Sequence, residues 1–255
     1  MSRYIFYPAN NFPVLRYVSE ALKSRGYGVV SRPCESVTHL LLPVPSFDPD
    51  GRLKGGGDVD AVLSQLPKNV TIVGGNLPPD RFPGYSLCDL MKDPTYLADN
   101  AAITAYCAIR LAMMELPVTL RNCRVLIIGW GRIGRCLSAL LWALEADVTI
   151  AARKETDRAM AHALGYRTTT PEELDQTLND YRLIYNTAPA PVLTTEQTEL
   201  CRDECLRIDL ASVRGIEGNH TIWARGLPGK DAPESSGRLI AKTIIRLIER
   251  KEKHL

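Results

Sequence analysis

The stretch Val125-Leu126-Ile127-Ile128-Gly129-Trp130-Gly131-Arg132-Ile133-Gly134 decides how this 255-residue chain folds. Val125 to Ile128 read as a buried strand, and Gly129, Gly131 and Gly134 satisfy G-x-G-x-x-G at a strand-to-helix turn. Gly129 permits the tight turn, Gly131 lets backbone approach a pyrophosphate, and Gly134 lets the helix pack closely on the strand. The helical RCLSALLWALEA that follows would aim its free amides and positive dipole end at the phosphates. A tight βα turn without ligand uses the same glycines. Here a strand before, a helix after and a second strand at the right distance favour a dinucleotide, so Gly129, Trp130, Gly131, Arg132, Ile133 and Gly134 are the expected phosphate loop.

The second strand, DVTIAARK, bears on the choice of cofactor. An NAD site places Asp or Glu at this strand end to bind the adenosine ribose, but here Ala152 stands there, followed by Arg153 and Lys154. Without the carboxylate a 2′-phosphate is not repelled, and a guanidinium can pair with it. NADP (NADPH) is therefore expected, the competing reading being that Arg153 and Lys154 are solvated turn residues. The next strand, RLIYNTAPAPVL, ends in Asn186-Thr187-Ala188-Pro189, which would face the nicotinamide half, with Asn186 donating to a ribose hydroxyl and Pro189 fixing the loop. An ordinary strand-ending Asx turn fits these residues too. Asp209, ending RIDLAS, carries the same two readings.

Outward from this core the chain alternates strands and helices, which implies a parallel sheet. YIFYPA, the weaker YGVVS, HLLLPV and NVTIVGG are strands; VLRYVSEALKSRG and VDAVLSQL, capped by Asp58, are helices. YLADNAAITAYCAIRLAMMEL reads as a helix buried on most sides between two domains, and a helix from Ser235 to about Lys253 carries Leu239, Ile240, Ile244 and Ile248 on one stripe. The expectation is two parallel-sheet α/β domains: an N-terminal domain over 1–97, an interdomain helix over 98–116, a Rossmann domain over 117–232, and a C-terminal helix over 233–255 packing back on the first domain. The interdomain helix and the C-terminal stripe could cover a homo-oligomer interface or simply the internal one.

With 31 basic and 29 acidic side chains the net charge is +2, against a nucleic-acid or anionic-membrane partner held by bulk electrostatics. No apolar run approaches the ~20 residues of a membrane span. The opening MSRYIFYPANNFPVL lacks the pattern of a signal peptide, so a cytoplasmic protein is expected. The seven cysteines, an odd and scattered set, read as reduced thiols. Cys201 and Cys205 in CRDEC find no second pair or nearby His to complete a metal site, and no metal is expected. RGLPGKDAPESSG (Arg225 to Gly237) reads as a glycine- and proline-rich loop, with Lys230 its acid/base or anion-binding candidate.

Taken together, DLMKDPTYLADNAAITAYCAI, LIIGWGRIGRCLSALL, YNTAPAPVLT, IDLAS and above all GLPGKDAPESSGRLIA resemble the A-type subunit of dipicolinate synthase, from about Asp89 to Leu247. The resemblance implies a flavodoxin-like N-terminal domain and an NADP-binding Rossmann domain. It also implies oxidation of the dihydrodipicolinate-synthase product to dipicolinate during sporulation, with the flavoprotein-like B-type subunit of dipicolinate synthase as partner. Two places depart from it. The family's Gly-Gly-Asp-Ala-Arg run after the first strand is PANNF here (Pro8 to Phe12), and its Thr-Ala-Glu-Gly is Thr104-Ala105-Tyr106-Cys107, with Tyr106 expected to fill space.

The leading expectation is an NADP-dependent oxidoreductase acting on a small molecule, a cyclic imine dicarboxylate. Arg214, Lys230, Ser235 and Ser236 would meet the carboxylates, while Thr104 and Asn186 orient substrate and nicotinamide ribose. A 2-hydroxyacid dehydrogenase would want an Asp/Glu–His arrangement, which is missing; Lys92-Asp93 keeps a shikimate-like enzyme open. A regulatory module that binds NADP without turnover is the reading from another class.

Overall fold

The computed structural model describes residues 3–253. It divides into two compact units, one made of Met1–Asn100 together with Pro228–Leu255, the other of Ala101–Leu227.

In the first unit, strands β1 (Ile5–Pro8), β2 (Gly28–Val29), β3 (His39–Leu41), β4 (Thr71–Gly74) and β5 (Ser86–Asp89) form a parallel sheet in the order β2-β1-β3-β4-β5. That is the flavodoxin-like order, whose topological switch point lies between β1 and β3. Helix α1 (Pro13–Ser24) opens on a proline, whose fixed φ suits a first helical turn, and buries Val14, Leu15, Val18 and Leu22. The short α2 (Val59–Leu63) is capped by Asp58, whose Oδ1 accepts from the Asp60 amide at 2.9 Å. β5, in YSLCD, is a strand that the sequence does not announce, because its four residues show little alternation.

Helix α3 (Pro94–Glu115) starts in the first unit and continues into the second. It is not buried all round: Tyr106 is 64% exposed and shares a stripe with exposed Met113, so Tyr106 fills no space.

The second unit holds β6 (Arg124–Ile128), β7 (Asp147–Ala151), β8 (Arg167–Thr169), β9 (Leu183–Asn186), β10 (Leu206–Asp209) and β11 (Thr221–Trp223), all parallel, in the order β8-β7-β6-β9-β10-β11. Numbered within the unit this is 3-2-1-4-5-6, the Rossmann order, with its switch point between β6 and β9. Helices α4 (Arg132–Ala143), α5 (Glu155–Ala163) and α6 (Thr195–Glu199) complete it. The β6 residues Val125 to Ile128 are buried, as strands covered on both faces must be. Tyr185, fully buried in β9, donates its hydroxyl to Ala108 O at 2.9 Å and so ties α3 to this sheet.

Beyond β11 the chain is helical where the composition suggested a loop. Leu227–Asp231 forms α7 and Pro233–Lys253 forms α8, with Pro233 at the first position. The α8 stripe is buried at Leu239, Ile240, Ile244 and Ile248. No helix of the described residues is long and apolar enough to cross a membrane.

Candidate functional site

The carboxyl ends of four strands of the second unit meet in one row: Ala151 pairs with Ile128, Ile128 with Asn186, and Asn186 with Asp209. The glycine turn rises from this row at the switch point. Gly129 has φ +104°, and a Cβ on it would stand 2.6 Å from Thr187 Oγ1. A Cβ on Gly134 would collide with the Gly129 carbonyl. These two glycines are demanded by the packing of turn, helix and neighbouring strand. Gly131 differs: it is exposed and a Cβ there would meet nothing. It is also the N-cap of α4, a 12-residue helix with no side-chain cap, so the first-turn amides of α4 look out past an open backbone. That combination fits the pyrophosphate of a dinucleotide.

Thr187 holds the turn from the other side, its amide donating to Ile128 O at 2.8 Å and its hydroxyl to the same oxygen at 3.1 Å. Asn186 is fully buried and its side chain is spent locally: Nδ2 donates to Ala188 O at 3.1 Å and to Asp209 Oδ1 at 3.0 Å, and Oδ1 accepts from Ala188 N at 2.9 Å. Asp209, also fully buried, accepts from Asn186, Ala211 N (3.0 Å), Gly215 N (2.6 Å) and Ile216 N (3.0 Å). The two side chains therefore shape the turns after β9 and β10 in place of reaching a ribose. Both Asn186 amide hydrogens are already donated, and a carboxylate this enclosed is an acceptor hub. Pro189 is exposed and Ala188 half-buried on the rim.

On the β7 side Ala152 is buried, while Arg153 and Lys154 are exposed just before α5. Sequence reasoning missed Arg158, one turn into α5, whose Nη1 donates to the carbonyls of Ala152 and Arg153 at 2.7 and 2.8 Å and pins this strand end. It missed Arg135 as well, whose Nε donates to Trp130 O at 3.2 Å. The signal for both is a basic residue one turn into the helix after each strand. Trp130 points into the protein, 6% exposed, edge-on to Tyr166, with Nε1 buried and unpartnered. Arg132 is exposed at the first position of α4, and Ile133 is half-buried.

Of the expected substrate-side residues, Thr104 is buried on α3. Arg214 lies in the loop after β10, exposed, its Nε donating to Ile216 O at 3.1 Å and one Nη to Gly218 O at 3.2 Å. Lys230 is exposed on α7; Ser235 is exposed and Ser236 buried in the first turn of α8. These three belong to the first unit, the glycine turn to the second. Lys92-Asp93 does not form the couple a shikimate-like enzyme would use. Asp93 accepts from Arg246 Nη2 and from the Tyr96 amide, so it is an ion-pair partner and helix cap. In the PANNF segment Asn10 Nδ2 donates to Lys54 O and Gly56 O, both at 2.8 Å, fastening the triple-glycine loop to the end of β1. Among the described residues no group of three or more His, Cys, Asp or Glu is placed to hold a metal.

No family model matches the chain. Over 157 residues it is 27% identical to the A-type subunit of dipicolinate synthase from Bacillus subtilis (strain 168), a match covering 58% of this chain and 53% of that one. In sequence the chain is similar to that dipicolinate synthase subunit at low identity. The match spans about half the length of that relative. The crystal structure of the A-type subunit of dipicolinate synthase from Bacillus halodurans superposes with a TM-score of 0.82 at 20% identity, covering 96% of this chain and 98% of that one. A transhydrogenase from Sinorhizobium meliloti reaches 0.74 at 16%, covering 97% and 94%. At these identities the structural likeness speaks for the fold alone, and that fold is the two-sheet α/β arrangement expected from the sequence.

Proposed function

We propose that the protein is an NAD(P)-dependent oxidoreductase of the same kind as the A-type subunit of dipicolinate synthase. The observation that carries the reading is the open start of α4 at the switch point: an exposed, uncapped Gly131 with nothing where its Cβ would stand. The amides of α4's first turn would hold the pyrophosphate, with Gly129 and Gly134 keeping strand, turn and helix close enough for it. NADP is the preferred cofactor, since exposed Arg153 and Lys154 stand where an NAD site keeps a carboxylate. Arg158 would hold the backbone that presents them. When bound, the nicotinamide supplies a hydride acceptor.

The proposed substrate is a cyclic imine dicarboxylate. Arg214 is the candidate partner for a carboxylate in the second unit, and Lys230, Ser235 and Ser236 are the anion-binding candidates of the first. Arg214 keeps N–H groups beyond the two spent on its own loop. Asn186 and Thr187 act as positioning residues, holding the β9 turn against the glycine turn, and Thr104 would orient the substrate. A partner resembling the B-type subunit of dipicolinate synthase is proposed on the resemblance alone.

A second reading, an NADP-binding module without turnover, draws on Tyr106. It stands where the family's pattern has a carboxylate, so α3 offers no acid at that position. Titration with NADPH and NADH, followed by nicotinamide fluorescence, tests the shared part. Tight NADPH binding with weak NADH binding is expected, and binding of neither removes both readings. Hydride transfer from the dihydrodipicolinate-synthase product to NADP, above a no-protein control, then separates enzyme from module.

A further inference from the structure

The helices before and after β7 lie side by side in the second unit. At their amino ends Arg135 of α4 pairs with Asp157 of α5 at 3.9 Å. At their carboxyl ends the Trp142 ring meets Tyr166 edge-on, centroids 5.5 Å apart, and a Cβ on Gly165 would stand 3.5 Å from it. Helices that cover a sheet bury an apolar stripe and turn a charged face to water. These two do the first and not the second. After Arg135 the exposed positions of α4 are Ala139, Trp142 and Ala143. Late in α5 and at its C-cap they are Ala159, Met160, Ala163 and Leu164, with His162 the polar exception. Trp142, Met160 and Leu164 are 55%, 56% and 58% exposed. With Leu144 beside them they offer apolar surface on the order of 400 Å², where exposed hydrophobic residues are normally scattered singly.

This face suits a copy of itself. The charges at its ends are paired within the chain, Arg135 with Asp157 and Arg121 with Glu145, so the rim selects no charged partner. Depletion of charge is the mark of interfaces between identical subunits, whereas transient partners meet on surfaces as polar as the rest. A twofold axis sets each patch against itself, and an apolar patch is self-complementary where a charged one is not. The alanines between the large side chains leave grooves that the same side chains of a second copy can enter. Stacking two such faces, alanines included, takes about 1,000 Å² from water, the lower limit for a specific interface.

We infer that the protein pairs about a twofold axis through α4 and α5, a second copy of this chain covering the face of Trp142, Met160 and Leu164. At that size the pair exchanges with monomer, with a dissociation constant on the order of 10 μM. The exposed stripe of Tyr106 and Met113 on α3 is the other apolar candidate, but it has exposed Arg110 in its middle. It serves as the control. The α4–α5 face is independent of what the glycine turn binds.

The test is sedimentation velocity of the full-length protein from about 1 to about 500 μM, a range that brackets the expected midpoint. The wild type should pass from monomer to dimer. Trp142→Glu and Leu164→Glu, each with an unchanged circular dichroism spectrum, should weaken the dimer at least about tenfold, while Met113→Glu should leave it intact. Hydroxyl-radical footprinting needs no variant: oxidation of Trp142 and Met160 should fall severalfold from dilute to concentrated protein, and that of Met113 should not. A monomer at every concentration overturns the inference. So does a dimer that Met113→Glu dissociates and the α4 and α5 variants do not, or a footprint that changes elsewhere. A chain monomeric alone, with Trp142 protected only when the B-type subunit of dipicolinate synthase is added, also overturns it and gives the face to that partner.

Discussion

Asp209 and Asn186 are legible in the sequence as strand-end residues but not as partners. Their contact joins positions 23 apart, and only the β9–β10 register brings them together. In sequence they are two polar residues after apolar runs; what the fold adds is that each satisfies the other's loop. Asp209→Asn keeps the shape but turns an amide N–H donor toward other N–H donors, and should cost about 1–3 kcal/mol of stability, read as a lower melting temperature. An unchanged melting temperature would mean that the four N–H groups find other acceptors. Arg153 is the contrary case, an exposed residue whose proposed role comes from the carboxylate that an NAD site would keep there. Arg153→Ala is expected to weaken NADPH binding about tenfold or more while leaving NADH nearly unchanged. Equal losses would remove the 2′-phosphate argument.

The long elements are the readable ones. Helices α1 and α8 announce themselves by an apolar stripe at helical spacing, and β6 by four consecutive buried residues. The two-residue β2 and three-residue β8 and β11 are too short to show a period and owe their pairing to neighbouring strands. The segment after β11 misleads because glycine and proline read as breakers, yet Pro233 occupies the first position of α8, where a missing N–H costs nothing. At Gly237 α8 lies close against α1: a Cβ there would stand 2.5 Å from Tyr17 Cβ and 2.8 Å from Val14 O. Gly237→Ala gains helix propensity, but it forces two backbones apart. The net expectation is a loss of about 1–2 kcal/mol, measured by denaturant unfolding; a more stable variant would show that the crossing has slack.

For the molecule as a whole, acid should act first on the unit containing β1 to β5. His39, packed against Phe6 and Tyr4, is pushed down to about 4 by burial and by the Lys251 charge. The unfolded chain takes up that proton near pH 6.5, so stability falls as pH drops from about 6.5 to about 4 and then levels off. Asp93 acts in a lower window. Burial alone would raise its carboxyl, but the bonds from Arg246 and the Tyr96 amide with the Arg246 charge hold it below the usual range. Its contribution is present above about pH 4 and fades as pH falls further. His39→Gln should flatten the first slope and Asp93→Asn the second, in unfolding curves recorded across pH; a slope unmoved by its substitution would rule out that group. The division of the chain also orders events in time. The unit with the Rossmann sheet is one continuous stretch, whereas the unit that opens the sequence borrows α8 from beyond it. During synthesis the middle of the chain can therefore finish folding while the amino-terminal sheet still waits, its α1 stripe uncovered, for a helix the ribosome makes later.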